Sequence, residues 1–129
     1  MPALHEGKHM TLIICVSYLD EITSEAKRVD LGSGGELFGF EVCRTEVWGK
    51  PIMHELGLKL IPSLQYTDIY VSGKELDALE REAEVIIDNL NIVVPQQEVF
   101  DEERLAFRVN NVLKAVSKAK EVNGEVYIG

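Results

Sequence analysis

The sequence predicts an α+β fold: a small mixed or antiparallel sheet with two long helices packed on one face. Three observations predict it. A nearly continuous apolar run at Thr11–Leu19 (TLIICVSYL) is too short for a typical helix. Two later stretches, 75–90 and 101–122, repeat Leu, Ile, Val and Ala at spacings of three and four. No strand–helix alternation runs long enough for a doubly wound sheet, and no internal repeat is visible. The chain has 129 residues, 46% of them hydrophobic and 27% charged, as expected of one soluble domain.

Each element follows from its residues. Residues 1–9 are polar, contain Pro2 and Gly7, and read as a flexible N-terminal arm ahead of a single domain at 10–129. Met10 opens the structured part and is a candidate natural start. The 11–19 run reads as a strand buried on both faces, hence central. Residues 20–29 are polar and read as a loop or one helical turn, and Gly32, Gly34 and Gly35 break the chain. Residues 37–47 (LFGFEVCRTEV) alternate, with Phe38, Phe40 and Val42 on one face, and read as a half-buried strand. Pro51 suits the first position of a short helix that ends at Gly57. Pro62 makes 58–64 an edge strand or loop, and 67–71 reads as a short strand.

Ser72 and Glu75 have the spacing of a capping box for the 75–90 helix. Asp101 is the expected cap of the last helix, with Phe100 and Leu105 placed for a hydrophobic staple. Asn123-Gly124 ends that helix, and 125–128 (EVYI) is a final strand.

Several chemistries lack their residues. Cys15 and Cys43 have 27 residues between them, without zinc-type spacing, and read as reduced, packed thiols. His54-Glu55 begins an HExxH pattern, but position 58 is Leu58. His5 and His9 are spaced i, i+4 but fall in the arm, so no metal is expected. The string Val29-Asp30-Leu31-Gly32-Ser33-Gly34-Gly35 resembles the glycine-rich nucleotide loop of class I methyltransferases. That loop follows a buried strand and opens a helix. Here Glu25-Ala26-Lys27-Arg28 precede the string and an alternating stretch follows it, so a turn without cofactor is expected. No secretory leader or membrane-length run is visible, and a cytoplasmic location is expected.

The charge map is uneven. The net charge is −9, which disfavours nucleic acid and anionic membrane. Residues 75–103 hold ten acids and one base, Arg81, and so account for the whole of it. Glu80, Glu84 and Asp88 line up at i, i+4, i+8, where like charges oppose one another.

The expected function is a small acidic binding module that engages a basic protein through the 75–103 region, in the manner of an inhibitor or immunity protein. That likeness is one of size, charge and layout. The candidate contacts are Glu80, Glu84, Asp88 and, as an aromatic anchor, Trp48. The alternative is a small enzyme or ligand-binding domain with a pocket near Cys43, Trp48, His54 and Glu55, where a strand meets a helix. A homo-oligomer is compatible with either, if the helices carry more apolar surface than one sheet covers.

Overall fold

The computed structural model describes residues 10–129; the arm at 1–9, with His5 and His9, lies outside the described residues. Five strands form one antiparallel sheet: β1 (Thr11–Leu19), β2 (Ala26–Arg28), β3 (Leu37–Phe40), β4 (Ile69–Ser72) and β5 (Glu125–Ile128). The order is β2-β1-β5-β4, and β3 also pairs with β1. The helices are α1 (Pro51–Glu55), α2 (Lys74–Asp88), α3 (Leu90–Val93) and α4 (Glu102–Glu121). A π-helical turn spans Arg44–Trp48, and 3₁₀ turns span Ile61–Gln65 and Val94–Gln96.

The long helices α2 and α4 cover one face of the sheet, as the two amphipathic repeats predict. Leu76, Leu79, Ala83 and Ile86 of α2 are buried against Leu105, Val109, Val112, Val116 and Ala119 of α4 and the strand residues Leu12, Ile14, Val16, Ile69, Val71, Val126 and Ile128. β1 is central, but it is not buried on both faces. Leu12, Ile14 and Val16 are buried, whereas Ile13, Cys15 and Ser17 between them are only half-buried. The reason is architectural: helices pack on one face, and the period of two sends alternate residues to the other.

The 37–47 stretch is strand only to Phe40. Gly39 adopts φ +99°, and a Cβ there would lie 3.0 Å from the Cys43 sulfur and 3.2 Å from the Phe100 ring. The left-handed glycine breaks the alternation, so Phe38 is buried while Phe40 and Val42 are exposed. Beyond it the chain turns helical, because Cys43, Val47 and Trp48 all reach the core from one turn. Trp48 stacks on Phe38 at 4.1 Å and donates its indole N–H to the Phe38 carbonyl at 3.2 Å.

Three other elements depart from the expectation. The polar 20–29 stretch contains β2, joined to β1 by a turn in which Asp20 accepts from the Ile22 N–H and pairs with Lys27 at 2.8 Å. Residues 61–65 are a 3₁₀ turn, and Pro62 sits in its first turn, where a missing N–H costs nothing. The Ser72–Glu75 capping box does not form. Ser72 stays in β4 opposite Glu125, and Gly73 occupies the cap position without a side-chain bond.

The other end signals agree with the structure. Asp101 accepts from the Arg104 N–H at 2.9 Å. Asn123 takes φ +53° after α4, and Gly124 passes so close to β1 that a Cβ would lie 2.2 Å from the Ser17 carbonyl oxygen. Gly32 and Gly34 both have positive φ, in a turn that leads into β3.

Candidate functional site

The acidic residues of α2 fall on three sides of the helix and differ in what they touch. On the side facing α4, Asp77 and Glu80 share the Lys120 ammonium, at 2.6 and 3.4 Å. The hydrogen bond from Lys120 holds the Asp77 carboxyl below its usual range, and the same bond pushes the Lys120 ammonium up. On the opposite side, the Glu82 carboxylate accepts the backbone N–H groups of Lys59, Leu60 and Ile61, each at 2.9 Å. These are orphan donors at the start of the 61–65 turn, so Glu82 caps a helix to which it does not belong. On the outer side, Arg81, Glu84 and Asp88 are exposed. Glu84 and Asp88 have no ion-pair partner among the described residues.

The sequence-predicted row is therefore divided. Glu80 is tied to Lys120, whereas Glu84 and Asp88 remain open to solvent. Trp48 is fully buried and closes the core, so its ring is not presented to a partner. The alternative pocket is not assembled. Cys43 is fully buried, and its hydrogen bond comes from the Phe40 N–H at 3.4 Å. Burial pushes the Cys43 thiol up, which disfavours the reactive thiolate. His54 and Glu55 are exposed on α1, and among the described residues no hydrogen bond joins either to Cys43. Both cysteines are free thiols.

Two further surfaces lie outside the predicted set. A groove of about 470 Å³ runs between α2 and residues 56–60, floored by Leu56, Leu60, Ala78 and Val85 and edged by Lys59 and Arg81. The open face of the sheet carries a polar relay. Arg44 bonds Glu41 at 3.0 Å and Asp68 at 2.7 Å, and Asp68 accepts from the Tyr127 hydroxyl at 2.6 Å. The Tyr70 hydroxyl bonds Glu125, and the two tyrosine rings meet edge to face at 6.2 Å. The Tyr127 hydrogen bond, then Arg44, lowers the Asp68 carboxyl below its usual range.

Among the described residues, no cluster of His, Cys, Asp or Glu is placed to hold a metal ion, and no helix is long and apolar enough to cross a membrane. Of the apolar positions on the two long helices, Leu76, Leu79, Ala83, Ile86, Leu105, Val109, Val112, Val116 and Ala119 are buried within one chain, whereas Ile87 and Leu113 are half-buried. No protein-family model, curated protein or solved structure matches the chain. The reading of function rests on geometry and charge.

Proposed function

We propose that this protein is a small binding module that engages a basic protein surface through the outer side of α2. One observation supports the reading most: Glu84 and Asp88 are exposed and have no ion-pair partner among the described residues, within the region that holds the whole net charge. Two carboxylates one helical turn apart repel each other by a few tenths of a kcal/mol, roughly, and a cationic partner would relieve that repulsion. The acidic field extends beyond α2, because Glu98, Glu102 and Glu103 are exposed as well. Such a field accelerates encounter with a basic partner. Inhibition of a basic protein, as by an immunity protein, is the form of this activity that fits a domain of this size and charge.

The test is affinity capture from the source cell at low and raised salt, with the wild type and a Glu84→Lys/Asp88→Lys variant in parallel. A basic protein retained by the wild type, released by salt and absent with the variant supports the reading. Exposed charges act over roughly 8 Å at physiological ionic strength, so the salt response should be steep. Partners that bind both forms equally would leave the two carboxylates as a solubility feature and overturn it.

A further inference from the structure

A second surface lies in the first turns of α4, where Arg104 and Arg108 follow Asp101, Glu102 and Glu103. Arg108 is held between two aromatic rings, with its guanidinium carbon 4.9 Å from the Phe100 centroid and 5.5 Å from that of Phe107. Its Nε is buried and has no acceptor among the described residues. Among the described residues, no carboxylate lies within ion-pair distance of Arg108 or of Arg104 one turn earlier. Burial, followed by the charge of Arg104, works against the Arg108 cation, and the Cys43 sulfur opposes that only in part. A guanidinium in this setting is costly, because rings replace only part of the hydration that burial removes. Among the described residues, no ion pair offsets this cation.

The surroundings of Arg108 are apolar and fixed. Phe107, which flanks the guanidinium, is 41% exposed. A Cβ on Gly34 would lie 3.5 Å from the Phe107 ring. The turn holding Gly34 is pinned to α4 by the buried Asn111 amide, which donates to the Gly34 carbonyl at 3.0 Å and to the Leu37 carbonyl at 2.8 Å. A cation within an aromatic frame, with a half-exposed ring beside it, is the arrangement of an interface anchor.

We propose that Arg108, framed by Phe100 and Phe107, is the anchor of a docking surface for a protein segment that presents a carboxylate beside apolar side chains. The carboxylate meets the guanidinium, while Phe107 takes the apolar neighbours. Charge complementarity selects this occupant. The aromatic frame around the guanidinium argues against a polyphosphate strand.

The test uses the full-length, isotope-labelled chain and the acetylated, amidated pentapeptide Leu-Glu-Leu-Glu-Leu, followed by NMR at the Arg108 Nε–H and the Phe107 ring. Saturable shifts with a dissociation constant of about 1 mM or tighter are expected. The glutamine counterpart of the peptide should bind about tenfold more weakly, since charge assistance roughly doubles a hydrogen bond. Arg108→Gln should abolish the response. Arg108→Lys, which keeps the charge and loses the planar fork, should restore only a minor part. Absence of saturable shifts, or equal binding of the glutamine peptide, overturns the proposal. Inorganic phosphate competing at the same concentration as the peptide would also overturn it, as that marks a simple anion site. A shift of the Arg108 signal in Glu6→Gln, without peptide, would assign the surface to the chain's own N-terminal segment and overturn it too.

Discussion

The two faces of the sheet are made by the same strands, residue against residue in alternation, and they have opposite chemistries. Ile14, Ile69 and Ile128 form one cross-strand row under the helices. The adjacent row, Cys15, Tyr127 and Tyr70, faces away, and its hydroxyls bond Asp68 and Glu125. The covered face is held by area removed from water, about 25 cal/mol per Å² of apolar surface. The open face is held by ion pairs and hydrogen bonds that water also competes for, each contributing about 0–1 kcal/mol. Stability therefore resides on one side of the sheet, while residues on the other side are freer to change.

The largest effect should come from the covered side. Leu79→Ala and Val112→Ala should each cost about 2–4 kcal/mol by denaturant unfolding, depending on how far the cavity collapses. Costs below about 0.5 kcal/mol at both sites would place them on the surface and dissolve the contrast. Next comes Glu82, an acid that behaves as part of the frame. Glu82→Ala should cost about 1–2 kcal/mol, since three backbone donors lose their acceptor, and Glu82→Gln should recover part of it. An unchanged midpoint in Glu82→Ala would mean that water caps the 61–65 turn equally well.

The open face should respond to pH more than to mutation. The Asp68 carboxyl is lowered in the fold, so its contribution is present above the ordinary carboxylate range and is lost as pH falls through the folded value. The Tyr127 hydroxyl is raised, chiefly by its bond to Asp68, so its contribution is present below the ordinary tyrosine range and is lost as pH rises through the folded value. Asp68→Asn should cost about 0.2–1 kcal/mol and let Tyr127 ionise at lower pH in an ultraviolet titration. An identical tyrosine titration curve would remove the relay. The smallest effect belongs to the outer side of α2: Glu84→Lys/Asp88→Lys should leave unfolding within about 0.5 kcal/mol of the wild type.

The parts legible in the sequence are those whose signal is local. The periodicity of α2 and α4, the Asp101 cap and the Asn123-Gly124 stop depend on neighbours in the chain, and each stands close to its expected position. What stayed hidden depends on distant residues. Glu82 reads as one more surface acid, because the donors it caps lie 21 to 23 positions away. Asn111 reads as a polar residue within a helix, because its carbonyl partners lie 74 and 77 positions away. The Gly39 break turned an apparent strand into a helical turn, since a local pattern does not show that Cys43 and Phe100 crowd the glycine. Of the candidate site, the sequence identified the acidic helix, but not which acids were already engaged.

The position of β5 has a consequence for how the molecule is made. β5 lies between β1 and β4, and its Glu125 meets Ser17 across 108 positions of sequence. On the ribosome every other strand is therefore synthesised before the one that joins them. Until residues 125–128 emerge, β4 has no neighbour and β1 has one unfilled edge, with the amide groups on both sides of the gap open to wrong partners. Synthesis proceeds at about 5–20 residues per second, so α2 has roughly 2–7 s, and α4 about a second or less, to form while the sheet beneath them lacks β5. The nascent domain is then a pair of helices over a split sheet, and insertion of four residues converts it to the native state.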